Sequence, residues 1–377
     1  MGNTLTNLIS TIYDAADIVL RELTGFIPAV TLDANGEQVA KDQTVRYPVV
    51  PAISATDIVP AATGPDPAAI TFDSDVMTIN KVRSATFFWE AEEQKALGGL
   101  YGVILRDQFA QAMRTLVNEV EADLAVAYKS ASRAYGTAGQ TPFSSDLSDP
   151  ANVLKILLDN GAPTSDLQLV INTAAGAKLR TLGQLTKANE AGSTELLRRG
   201  VLLDLFGFAV RESAQVKNHT KGTGSGYLVN SASGLAVGTT VIPVDTGNGT
   251  ILPGDIVTFA ADTTNKYVVT SALSGGSFTI GKPGLLVAIP DNNAITVGNN
   301  YAPNMAFSRS AIHLLMRTPA MPEGGDAADD VTVITDDQTG ISFQIAMYRQ
   351  RRRVAYEVGL AWGVKAVKSE AIALLLG

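Results

Sequence analysis

Toward its C-terminal end the chain carries Arg349, Arg351, Arg352 and Arg353 within five residues, although its formal net charge is −8. A guanidinium is a planar fork of donors that matches a carboxylate or a phosphate. Nucleic-acid binding through such a run ordinarily comes with a basic domain and with aromatic or small polar residues that reach the bases. Here 37 acidic residues outnumber 29 basic ones, and the cluster stands alone. Read as one strand, the run sends Arg349, Arg351 and Arg353 to one face and Arg352 to the other. Carboxylates on other copies of this acidic chain are the first expected partners; water on a solvated face and phosphate are the alternatives.

The other residues that could carry chemistry read as turns and surfaces. Lys221 to Gly226, KGTGSG, has glycines that let backbone N–H groups approach an anion. It lacks the Gly-Lys-Ser/Thr ending and the strand-then-helix setting of a phosphate loop, and reads as a flexible entry to the segment after it. His219 and His313 are the only two histidines. Neither has a second ligand at helical or loop spacing, so neither a metal site nor a histidine-based triad is expected. The pairs Glu92-Glu93, Asp329-Asp330 and Asp336-Asp337 sit in turn-like or helix-start contexts. DANGEQ and DTGNGT lack the ligand run and closing glutamate of a calcium loop. There is no cysteine, which excludes disulfides, thiolate metal sites and cysteine nucleophiles. The chain is not read as an enzyme, and no cofactor is expected.

The elements that position these residues follow from periodicity. Residues 4–24 read as an amphipathic helix with Leu5, Ile9, Ile12, Ala16, Val19 and Leu23 on one stripe and Gly25 as its stop. Such a helix needs a covering surface, which makes Leu5, Ile9 and Ile12 candidate subunit contacts. Residues 26–75, rich in proline and with a turn signal at Asn35-Gly36, read as an extended arm and long loop with little to form a core. DVMTINKVRSATFFWEAEEQ alternates and reads as a strand running back along that loop. Its Phe87, Phe88 and Trp89 are further contact candidates. From 96 to 132 the pattern is helical: Leu105, Phe109, Ala112, Leu116, Val120 and Leu124 make one stripe, with Asp107, Gln111, Arg114, Asn118 and Glu121 opposite. A helix of about 30 residues spans ~45 Å.

Residues 150–216 alternate helix and strand; DLQLVINT and FAVRESAQV read as strands, and NVLKILLDNG, AAGAKLRTLGQL and TELLRRGVLLDLFG as helices. Between about 220 and 300 short β-rich runs are punctuated by glycine and proline, the pattern of a small antiparallel barrel or sandwich inserted into a host. The final part opens with a hairpin around Asp336-Asp337. Ile341, Phe343, Ile345 and Met347 share one parity; Val354, Tyr356, Val358, Leu360 and Trp362 have the other. A bulge or bend across the arginine run would produce that slip.

Charged residues make up only 18% of the chain and hydrophobic ones 46%, with a mean hydropathy of +0.14; a soluble chain typically carries roughly 25% charged residues. No apolar run approaches the ~18 residues of a membrane helix. Other protein subunits are therefore the expected cover, since interface cores are depleted in charge. No signal peptide is read in MGNTLTNLISTIYDAADIVL. Gly2 and Thr6 match a short and common myristoylation pattern, and these residues are read instead as a helix start.

Arm, proline-rich loop with a returning strand, long helix, mixed core, β insert and closing strands together resemble the major capsid protein of tailed double-stranded DNA bacteriophages, with the Hong Kong 97-type fold. The podovirus-like subtype with an inserted β domain is the nearest. The ending LAWGVKAVKSEAIALLLG is similar to that family's closing strand, through Trp362, Gly363-Val364, Ala366 and Glu370-Ala371-Ile372. ILPGDIVTFA and KYVVTSALSGGSFTIGKPGLL are similar to its inserted domain. Residues 133–216 rest on layout alone.

The resemblance implies an α+β fold with an N-terminal arm over 1–45, an E-loop over 46–92 and a spine helix with P domain over 93–149. It implies an A domain over 150–216, an inserted antiparallel β-barrel-like domain over 217–300, an A-domain return over 301–335 and P-domain closing strands over 336–377. It further implies many copies arranged as pentamers and hexamers of an icosahedral shell, a scaffolding protein, a portal, and double-stranded DNA packaged without sequence-specific contact. The implied location is the virion, after assembly in the host cytoplasm, with no membrane. The arginines would then meet acidic groups of adjacent copies. The alternative reading is a β-rich virion or tail-associated binding protein whose insert holds the ligand.

Overall fold

The computed structural model describes residues 11–15, 25–49, 73–144, 146–186, 204–335 and 340–377. In chain order the strands and helices begin with β1 (Thr31–Val39), β2 (Thr44–Val49), β3 (Asp73–Thr78) and β4 (Lys81–Glu90), then α1 (Ala91–Leu97) and α2 (Tyr101–Ala125). Next come β5 (Arg133–Tyr135), α3 (Ser148–Asp159), β6 (Leu167–Ile171), α4 (Thr173–Thr181) and β7 (Phe208–Glu212). A β-rich stretch supplies β8 (Leu228–Val229), β9 (Val241–Asp245), β10 (Ile256–Phe259), β11 (Asp262–Ser274), β12 (Ser277–Ile280) and β13 (Ile295–Val297). The chain closes with β14 (Pro303–Ser308), β15 (Ile312–Pro319), β16 (Asp330–Thr335), β17 (Ser342–Gln350), β18 (Arg353–Ala366) and β19 (Ile372–Leu376).

Two sheets organise these elements. The first has six strands in the order β1-β15-β18-β17-β16, with β4 paired along the other side of β18. One of its faces carries α2, whose stripe of Leu105, Phe109, Met113, Leu116, Val120 and Leu124 is buried as its 3.6-residue period requires. Gly98, in a left-handed conformation at φ +52, ends α1 and lets the chain turn into α2. At 25 residues α2 is shorter than the expected helix, because Val126–Ser130 tightens into a 3-10 turn.

The second sheet runs β7-β6-β14-β19-β5-β11-β12-β9-β8, with β10 and β13 attached beside β11. Its middle strands β6, β14 and β19 are buried throughout, which is why IALLL reads as an unbroken apolar run and LQLVI as one interrupted only by Gln168. The β-rich stretch has its own buried cluster, including Tyr227, Ile242, Phe259, Tyr267 and Phe278. Its ladders run β8-β9-β12-β11-β10-β13 and return to β8 through the antiparallel Leu228–Ala294 bridge. The stretch is also joined to the host, because β11 pairs with β5 at Tyr267–Arg133 and Lys266–Ala134. β14 lies in this sheet while β15 and β16 lie in the other, and β19 separates in the same way from β17 and β18.

The arm expected to lack a core is corrected over its described part. Phe26, Ile27, Ala29 and Val30 are buried, and β1 pairs in parallel with β15 from Thr31–His313 to Val39–Pro319. Arg317 fixes this pairing by donating to the Asp33 carbonyl (2.8 Å) and carboxylate (3.1 Å). The apolar residues that seal the segment precede β1 and are few, so composition hid them. Of the expected first helix, residues 11–15 are helical and described; the rest of residues 4–24, and most of TELLRRGVLLDLFG, lie outside the described residues.

Candidate subunit interface

The arginine run is not one strand with a bend. It is the tip of the β17–β18 hairpin, in which Gln350 pairs with Arg353 and Arg351-Arg352 form the turn. A reversal, rather than a bulge, is what switches the parity of apolar residues between Phe343 and Tyr356. Arg352 is left-handed at φ +61, uncommon away from glycine, and the Ala91 N–H donates to its carbonyl at 2.9 Å. All four arginines are exposed. The Arg353 guanidinium lies 5.2 Å over the Phe88 ring and contacts Gln350, while the Arg349 N–H donates to Asp329 of the same chain. Among the described residues, Arg351, Arg352 and Arg353 have no carboxylate at ion-pair distance, so the tip presents unneutralised charge.

The other sequence candidates divide. Phe88 points outward at 52% exposure. Phe87 and Trp89 face α2 instead: Phe87 packs edge-on to Phe109 (5.0 Å between centroids) and beside Tyr356 (5.4 Å), and Trp89 sits edge-on to Tyr101 (5.7 Å). Both are half-buried against the core of their own chain. Strand alternation separates Phe88 from its neighbours on both sides, a distinction the aromatic triplet concealed. Ile12 is fully buried in its own chain; Leu5 and Ile9, like the Asp336-Asp337 turn, lie outside the described residues.

Between β1 and β4 the chain makes a second exposed feature. β2 and β3 pair only with each other, from Thr44–Thr78 to Val49–Asp73. The root is tied down: Asp42 N–H donates to the Ile79 carbonyl (3.0 Å), Ile79 N–H to Gln43 (3.0 Å), and Asn80 N–H to Trp362 (3.0 Å). Gly363 makes this approach possible, since a Cβ there would lie 2.0 Å from the Thr78 carbonyl oxygen. A small cluster of Val39, Met77, Ile79, Leu315 and Ala361 fills the root.

Two buried polar anchors escaped the sequence reading. Glu121, expected on the solvent stripe of the long helix, is 2% exposed. Its carboxylate accepts the N–H groups of Phe26 (3.0 Å) and Ile27 (2.9 Å) and the Ser213 hydroxyl (3.2 Å). Burial pushes its carboxyl above the ordinary value, against the opposite pull of those donors. His219 bridges the Tyr128 hydroxyl (2.8 Å from Nδ1) and the fully buried Asp255 (2.8 Å from Nε2). Asp255 also accepts the N–H groups of Gly222 and Leu252, and burial, with Asp255 second, pushes Tyr128 up to about 12. This histidine joins the end of the long helix to the β-rich stretch. No spacing rule links positions 128, 219 and 255, so only the fold brings them together.

Among the described residues no group of three or more His, Cys, Asp or Glu side chains could hold a metal ion, and no helix is long and apolar enough to cross a membrane. No protein-family model and no curated protein matches the sequence. Among solved structures, the chain is similar to one from Mycobacterium phage Che8, at 16% identity over 89% of this chain and 85% of that one, with a TM-score of 0.47. It is also similar to a chain of the cyanophage P-SCSP1u capsid, at 11% identity over 92% and 86%, TM-score 0.48. A third likeness is to the mature capsid of bacteriophage PhiM1, at 11% over 93% and 86%, TM-score 0.48.

Proposed function

We propose that this chain is the structural subunit of a tailed-phage capsid, self-assembling into a closed shell around double-stranded DNA. The observation that carries the reading is the β2–β3 hairpin, which belongs to neither sheet of its own chain. Two strands alone are marginal in water, and this pair is regular in register and hydrogen-bonded at its root, as a part made for a neighbour would be. In the resemblance drawn from sequence, this hairpin occupies the E-loop, α2 the spine of the P domain, and the β-rich stretch the inserted domain. The unneutralised arginines and Phe88 are the second contact. Symmetry multiplies many modest contacts into a stable particle, with a scaffolding protein and a portal as further partners. A net-acidic chain does not trap the genome it encloses, since each neutralised phosphate would add affinity.

Excising the hairpin tests the reading. Residues 43 and 79 are hydrogen-bonded across its root, so a short Gly-Ser link can replace residues 44–78. The expected result is a shortened chain with parent-like circular dichroism that no longer forms particles in electron micrographs. Particle yield equal to that of the parent would overturn the hairpin's role.

A further inference from the structure

Resting on the reading of this chain as a shell subunit, we infer that the open edge of β16 in one copy is completed by β2 of another copy. The hairpin then adds a strand to its neighbour's six-stranded sheet.

The edge itself is the first observation. β16 is a terminal strand of that sheet, and its residues Val331, Thr332, Val333, Ile334 and Thr335 are all β-branched. It pairs with β17 over six residues without a register shift. Among the described residues no strand pairs with the other side of Val331–Thr335. Natural edges are blunted by bulges, charged side chains, proline or cover. The sheet's other outer strands show such devices: β1 is bulged between Ala34 and Gln38. On β4, Lys81 and Arg83 pair with Asp123 (2.8 Å) and Glu119 (3.6 Å) of α2. Within Val331–Thr335 there is no bulge, proline or charge, and Val333 is 41% exposed. Such an edge is a template for another strand.

The occupant follows from charge and from the hairpin. From Thr318 to Tyr348 the sequence holds Glu323, Asp326, Asp329, Asp330, Asp336 and Asp337 and no lysine, arginine or histidine. A docking strand should therefore be basic. β2 carries the exposed Arg46, with Lys41 just before it, whereas β3 carries Asp73 and Asp75. β3 is also the strand held to its own body, through Lys365 Nζ and the Val76 carbonyl (2.8 Å). β2 has no described partner but β3. Pro48 lacks an N–H, so the shared ladder runs over Thr44–Tyr47.

The absence of cysteine makes the test clean, because an introduced pair is the only thiol pair present. Thr44→Cys is combined, in separate full-length variants, with Val331→Cys, Thr332→Cys, Val333→Cys or Thr335→Cys; Thr44→Cys with Thr86→Cys on β4 is the control. Variants that unfold at the parent's temperature are assembled, oxidised and run on non-reducing gels. A disulfide forms only where Cβ atoms come within about 4.5 Å. The expected result is a covalent multimer ladder at one or two β16 positions and none from the β4 control. Particles without a β16 ladder above control would overturn the inference and leave the shell reading standing. A parent chain that forms no particle would remove both.

Discussion

Glu121 shows how a single side chain decides whether the N-terminal segment belongs to the body. Its carboxylate gathers the Phe26 and Ile27 N–H groups at the 3-10 turn before β1. A carboxyl raised by burial binds its proton more tightly folded than unfolded. Its contribution is therefore full below the unfolded value and lost as pH rises through the raised folded one. Glu121→Gln keeps an oxygen for both N–H groups and offers Ser213 a donor, so it should stay within about 1 kcal/mol of the parent and lose that pH dependence. Glu121→Ala leaves two buried donors unpaired, at about 1–3 kcal/mol each. Thermal unfolding of the three proteins from pH 4 to 8 measures both effects; an alanine variant as stable as the parent throughout would contradict the anchoring role. Periodicity alone put Glu121 on the wetted stripe, because α2 is covered on two sides by elements far away in sequence.

At the scale of elements, the sequence was most legible where one face is buried and the period is long. The stripe of α2, the strands β6 and β7, and the return of β4 all follow from patterning that tertiary contacts reinforce. Turns were harder. RQRRR contains no glycine, proline or asparagine to signal a reversal, yet the chain turns at Arg351-Arg352 with a left-handed arginine. The tip's charges were legible; their placement was not. Because both turn residues are exposed and unpaired, Arg351→Ala with Arg352→Ala should change stability by no more than about 0.5 kcal/mol. If the same arginines meet carboxylates in a desolvated contact, their loss costs association roughly 2–5 kcal/mol, against about 0–1 for exposed pairs. The double variant should keep the parent's unfolding temperature and fail to assemble, as scored by sedimentation. Normal particle yield would assign the tip to solvent.

For the whole molecule, the low charge content and the buried core describe different surfaces. The described N-terminal residues fold home, so the chain is less open than its composition implied. What remains unfinished is local: a hairpin outside both sheets, an unblunted edge at β16, and a cationic tip carrying Phe88. In the proposed reading, each is a surface that another copy completes on the way to a shell. The β-rich stretch, continuous with the host ladder through β5 and β11, would then be carried as part of the shell wall rather than as a tethered module. The most direct measurement is a low-magnification electron micrograph of the purified full chain, expressed alone and with a scaffolding partner. Closed particles or curved sheets of uniform subunits are the expected result; a strictly monomeric, compact protein at high concentration under both conditions would contradict it.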